Sequence, residues 1–170
     1  LRRMLMAAGE EFNVVPYGTE ALGVMRIEKG HAAGNELTGQ TTAANLGMGR
    51  MVSKKKDCIG NTLSERPELN RDDGLRLVGF RPVNRAEALT SGAHFIAPGK
   101  STVMDNDEGW MSSVTFSPEL GHSIGIGFIK QGHERLGEVV RAVDLVRGKD
   151  IEVEIVSAHF IDPEGERLRV

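Results

Sequence analysis

From Leu75 onward the chain is a succession of short β-type runs separated by turn residues, and this texture restricts the fold more than any other feature. The runs are Leu75–Phe80, Ala93–Ala97, Ser112–Phe116, Ser123–Ile129, Glu138–Val143 and Ile151–Val156. Strands this short, recurring without intervening long helical stretches, suit an antiparallel sandwich or barrel rather than a parallel sheet with crossovers. Gly148-Lys149-Asp150 and Pro163-Glu164-Gly165 carry the residues of tight turns.

The first part of the chain reads differently. Residues 1 to about 60 are helical and punctuated by glycine, and residues 61–74 are polar, hold Pro67 and read as a linker. The expected fold class is therefore α+β: an incomplete α+β region over 1–60, then an antiparallel β-barrel over 75–170. The opening Leu1 to Ala8, closed by Gly9, reads as the last turns of an amphipathic helix without an initiator Met. On that reading the chain is a fragment of a longer protein.

Composition excludes several functions. The net charge is -3 with 26% charged residues, which offers no basic field for nucleic acid. No window is long and apolar enough for a membrane span. A single cysteine, Cys58, forbids an internal disulfide and suits a reducing cytoplasm. The five histidines include no pair at metal-ligand spacing, so no metal is expected.

Two short motifs are decoys. Gly121-His122-Ser123-Ile124-Gly125 matches a nucleophile elbow, and Asp144 and His159 follow in hydrolase order. An elbow needs a parallel α/β sheet, whereas Ser123 lies among antiparallel-type runs. The glycines there are better explained by close strand packing. Gly47-Met48-Gly49 has neither the third glycine nor the preceding strand of a dinucleotide fingerprint.

The most informative helix spans Thr19 to Lys29, between Pro16-Tyr17-Gly18 and Gly30. On a helical wheel Ala21, Leu22, Val24, Met25 and Ile27 cover most of its circumference, so the helix is expected to be buried. Glu28 falls inside the apolar arc and Arg26 on its border. A buried charge needs a partner or a ligand.

Gly18-Thr19-Glu20-Ala21-Leu22-Gly23-Val24-Met25-Arg26-Ile27-Glu28-Lys29-Gly30 resembles the Ala-Leu-x-x-x-Arg-x-Glu-x-Gly helix of the aminomethyltransferase family. That family includes the glycine-cleavage T-protein and the folate domains of sarcosine and dimethylglycine oxidases. Gly34-Asn35-Glu36-Leu37-Thr38 resembles the turn after this helix, and Thr41-Thr42-Ala43 its Thr-Thr-Pro. Leu46 to Val52 resembles the glycine-rich segment leading into Asp57-Cys58-Ile59-Gly60. Ser112-Ser113, Phe116-Ser117-Pro118 and Ile124 to Ile129 then follow in the family order. Pro16 to Ala21, Val52 to Asp57 and Phe160 to Gly165 point, within the family, to alpha subunits of heterotetrameric sarcosine oxidases.

This resemblance implies a tetrahydrofolate-binding module. It would capture the imine formed by oxidative demethylation of sarcosine, giving 5,10-methylenetetrahydrofolate and glycine. FAD, FMN and NAD are expected only in the rest of the complex, with other subunits as partners. The family's catalytic aspartate lies upstream of the matched segment, so no catalytic residue is expected here and the chain alone should be inactive. Arg26 corresponds to an arginine used at the folate site, and Glu28 is read as a structural partner of neighbouring elements. Two alternatives stand beside this reading: an aminomethyltransferase of the glycine cleavage system, and a non-catalytic docking barrel of a larger oxidoreductase.

Overall fold

The computed structural model describes residues 1–169. Six strands close into one antiparallel barrel: β1 (Leu75–Pro82), β2 (His94–Ile96), β3 (Asp107–Ser117), β4 (His122–Lys130), β5 (Val139–Asp144) and β6 (Lys149–Val156), in the spatial order β1-β4-β3-β2-β5-β6. Closure leaves no long free edge, so the backbone donors and acceptors of the sheet are spent internally. An antiparallel barrel beside a sparse helical region is the expected fold.

Period-two alternation sorts the barrel side chains into two sets. Val78, Phe80, Phe95, Met111, Ile129, Val140, Val153 and Ile155 fill one core cluster. Phe80 and Phe95 stack there with ring centroids 4.0 Å apart. Leu77, Ile124, Ile126 and Phe128 form the second cluster, against Ile27 of the long helix. On β4, Gly125 and Gly127 alternate with Ile124, Ile126 and Phe128. A Cβ at Gly125 would sit 2.5 Å from Met111 Sδ, and one at Gly127 would sit 2.4 Å from the Trp110 carbonyl oxygen. These glycines admit close strand packing, as their sequence context suggests.

The turn between β5 and β6 ends at Gly148, whose φ is +63°. Lys149 and Asp150 already belong to β6, so the turn lies three residues earlier than Gly148-Lys149-Asp150 suggests. Asp144 explains the placement: its Oδ1 accepts from the Val146 and Arg147 N–H groups at 3.1 Å each, an aspartate-nucleated turn.

Outside the barrel lie α1 (Arg2–Ala8), α2 (Thr19–Glu28) and the single-turn α3 (Asn61–Ser64), with 3-10 turns between them. The helix α2 ends in a Schellman motif: Gly30 N donates to Ile27 O, and His31 N to Arg26 O at 2.8 Å. Gly30 adopts φ +73°, and a Cβ there would meet the Ala158 carbonyl oxygen at 2.6 Å.

One expectation needs correcting. The helix α2 is not buried on most sides; Ile27 alone is fully buried, while Leu22 is 50% and Met25 42% exposed. It lays a single stripe on β3 and β4, and the wheel could not distinguish apolar residues that meet the barrel from those that face away.

Candidate functional site

The site is built where α2, the 3-10 turn Gly34–Glu36 and β3 meet. Three local devices position it. The end of α2 is held by the segment after β6: Phe160 N and Ile161 N both donate to Glu28 O, at 2.9 and 3.0 Å. Lys29 Nζ adds an ion pair to Asp162 Oδ2 at 3.0 Å. Glu36 occupies the third position of its 3-10 turn, and its Oε2 reaches back to accept from Ala33 N at 3.0 Å, the return half of a capping box. In β3 the register slips between Met111 and Ser113 against β4, a β-bulge at Ser112.

The bulge decides where two hydroxyls point. In a regular pleat Ser112 and Ser113 would face opposite sides of the sheet. The extra residue turns both towards Glu36, whose Oε1 accepts from Ser112 Oγ at 2.5 Å and from Ser113 Oγ at 2.6 Å. Arg26 completes the cluster. Its Nη1 donates to Glu36 Oε2 at 2.9 Å, and its Nη2 to Ser113 Oγ at 2.8 Å. A closed ring results, in which Ser113 accepts from the guanidinium and donates to the carboxylate.

The electrostatics follow from this wiring. Glu36 has no exposed side-chain area, while Arg26 keeps 22% of its own. Burial alone would raise the Glu36 pKa. The hydrogen bonds from Ser112, Ser113 and the Ala33 N–H, together with the Arg26 charge, outweigh burial and hold the carboxyl below the usual glutamate value.

Arg26 borders a cleft of roughly 930 Å³ between α2 and β3. Val24, Ile27, Val114 and Phe116 supply apolar wall, and Asn35, Ser91 and Ser113 supply polar groups. Arg26 thus stands at a concave surface, the setting in which small-molecule sites are found. Glu28 lies two residues on, about 200° around the helix, and its Oε1 accepts from Ser117 Oγ at 2.5 Å. It joins α2 to the end of β3 and does not line the cleft.

Sequence reasoning named Arg26 and Glu28 but gave no role to Glu36, Ser112 or Ser113. Glu36 sits in a short turn without periodicity, and its hydroxyl partners lie 76 and 77 residues away. The available signal was the recurrence of Gly34-Asn35-Glu36 and Ser112-Ser113 in one ordered set of motifs. The hydrolase decoy does not assemble. Ser123 Oγ accepts from Leu89 N, Asp144 pairs with Arg147, and His159 meets the Lys29 carbonyl. Among the described residues no group of three or more His, Cys, Asp or Glu side chains could hold a metal ion, and no helix is long and apolar enough to cross a membrane.

Comparison with known proteins defines the class. The GCVT N-terminal domain model matches residues 1–56, and the glycine cleavage T-protein C-terminal barrel domain model matches residues 76–162. The chain belongs to the glycine cleavage T-protein family. Within it, the chain is 37% identical to the sarcosine oxidase subunit alpha of Rhizobium meliloti (strain 1021), over 98% of its own length. It is 39% identical to the sarcosine oxidase subunit alpha of Corynebacterium sp. (strain P-1), over 95%. It spans 17% of the length of each of those subunits. Identity to an aminomethyltransferase of Thermosipho melanesiensis is 30%, over 87% of this chain and 38% of that protein. The crystal structure of glycine cleavage system aminomethyltransferase T from Bartonella henselae superposes with a TM-score of 0.73 at 22% identity. That match covers 95% of this chain and 44% of the other, and it establishes the shared fold.

Proposed function

We propose that this chain is the C-terminal part of a tetrahydrofolate-binding module in a sarcosine-oxidising flavoenzyme of the cytoplasm. Residues 1–60 contribute to the folate-binding region, 61–74 connect, and 75–170 form the barrel that supports it. The module captures the imine produced by demethylation of sarcosine and yields 5,10-methylenetetrahydrofolate and glycine. The imine carbon becomes the bridging methylene, and its nitrogen leaves as the amine of glycine. FAD, FMN and NAD belong to other parts of the complex, and the remaining subunits are the partners.

One observation carries this reading: Arg26 stands at the cleft already anchored by Glu36 and Ser113. A guanidinium has five N–H donors in a fixed fork, which suits a planar, acceptor-rich ligand. With Nη1 and Nη2 each holding a protein partner, the remaining N–H edge is left to donate to a pterin. Val24, Val114 and Phe116 line the cleft and would exclude water from the imine carbon. Bound tetrahydrofolate supplies the two nitrogens that take up the one-carbon unit. The proposal favours an oxidase over a glycine-cleavage aminomethyltransferase because the matching segments are 37–39% identical in the former and 30% in the latter.

The test is Arg26→Ala in the full-length enzyme, following how the product divides between methylenetetrahydrofolate and formaldehyde. An imine that is not captured hydrolyses to formaldehyde. The variant is expected to bind tetrahydrofolate more weakly by about 1–3 kcal/mol and to shift product towards formaldehyde. An unchanged affinity and an unchanged partition would remove Arg26 from the folate site.

A further inference from the structure

We infer that Glu36 is the positioning residue of this site, holding Arg26 so that one edge of the guanidinium faces the cleft before any ligand arrives. The inference rests on the reading of Arg26 as a folate contact. Its physical basis is the ring of two arms between the same two residues. One arm is direct, from Arg26 Nη1 to Glu36 Oε2; the other runs from Nη2 through the Ser113 hydroxyl to Glu36 Oε1. A single ion pair would let the guanidinium swing about one contact. Two arms fix its plane, because any rotation breaks both together.

The carboxylate is itself immobile. Four donors converge on it: the Ser112 and Ser113 hydroxyls, the Ala33 N–H and Arg26. They come from three separate parts of the chain, and the side chain they hold is fully buried. Among the described residues, Arg26 Nε has no hydrogen-bond acceptor, so the anchored fork retains an unspent donor. A group held by packing and hydrogen bonds beneath a ligand contact is the arrangement that preorganised sites require.

A purely structural clamp between the turn Gly34–Glu36 and β3 would use the same hydrogen bonds, so the test must separate the two roles. A double-mutant cycle on the full-length enzyme does so, with tetrahydrofolate affinity as the readout and the thermal midpoint recorded for every variant. The variants are Glu36→Gln, Ser113→Ala and Arg26→Ala, with each of the first two also combined with the third. If Glu36 works through Arg26, then Glu36→Gln and Ser113→Ala each weaken tetrahydrofolate binding by about tenfold, the loss that accompanies one charged hydrogen bond. Neither weakens it further once Arg26 is alanine.

Losses that simply add, or affinities unchanged in both single variants, overturn the inference whatever happens to the thermal midpoint. If Arg26→Ala alone leaves affinity unchanged, the folate reading falls and the positioning role falls with it. If Arg26→Ala weakens binding while the other two do not, only the positioning role falls. Ser113→Ala keeps the direct ion pair and carries the test if Glu36→Gln does not fold. Arg26→Lys, which keeps a cation beside Glu36, replaces Arg26→Ala if that variant does not fold.

Discussion

Arg26 and Glu36 meet at 2.9 Å across a boundary of exposure, the carboxylate fully enclosed and the guanidinium open to the cleft. Enclosure of one partner makes the pair unequal. Removing the arginine strands a buried charge, whereas neutralising the glutamate leaves a cation with access to water.

The depressed pKa of Glu36 gives a dependence of stability on pH with a defined sign. A carboxyl whose folded pKa lies below its unfolded value, about 4.3, contributes stability that is fully present above that value. The contribution is lost as the pH falls through the folded pKa. Glu36→Gln is expected to lower stability near neutral pH by about 1–3 kcal/mol and to flatten its decline below pH 4. Denaturant titrations of both proteins between pH 3 and 7 check this, and parallel pH profiles would contradict it.

Two nearby glycines should respond unequally to alanine. Gly30 has φ +73° and faces the Ala158 carbonyl oxygen, while Gly34 has ordinary φ and open space where a Cβ would stand. Left-handed backbone alone costs a non-glycine residue about 1–2 kcal/mol, and at Gly30 the carbonyl contact adds to that. Gly30→Ala is expected to lower the thermal midpoint by several degrees, and Gly34→Ala to leave it nearly unchanged.

Phe80 is fully buried and stacked on Phe95 in the barrel. Phe80→Ala should cost about 3–5 kcal/mol and shift the denaturant midpoint downward. The site in front of the barrel is expected to be lost only in step with global unfolding. Loss of tetrahydrofolate binding by a folded Phe80→Ala protein would show that the barrel does more than support the site.

The 170-residue chain by itself is expected to turn over neither sarcosine nor folate. Gly47 lies in a turn and Gly49 opens a short 3-10 helix, with no strand before them. Purification should give a protein without flavin absorbance, and assays for peroxide and methylenetetrahydrofolate should read zero. Formation of either product by the isolated chain would be the contrary result.

The barrel was legible in the sequence because antiparallel strands alternate visibly and turns announce themselves through Gly and Asp. The exception is instructive: β3 begins at Asp107, five residues before the run Ser112–Phe116. Asp107, Glu108 and Gly109 read as loop, yet Gly109 belongs in the strand because the Phe128 carbonyl oxygen leaves no room for a Cβ. The site was legible only in part. Arg26 stood out as a charge at the edge of an apolar stripe, but Glu36 and the serines acquire meaning only when a bulge in β3 meets a turn some 76 residues earlier. Local pattern carries no record of such a meeting.

The tie between the end of α2 and residues 160–162 sets an order of events during synthesis. Lys29 and Asp162 are 133 residues apart, and at roughly 5–20 residues per second a ribosome needs on the order of 10 s to cover that distance. Through that interval the helix bearing Arg26 is already made, while the backbone that grips its last carbonyl has not been translated. The arginine's helix therefore waits for a tether made 133 residues later.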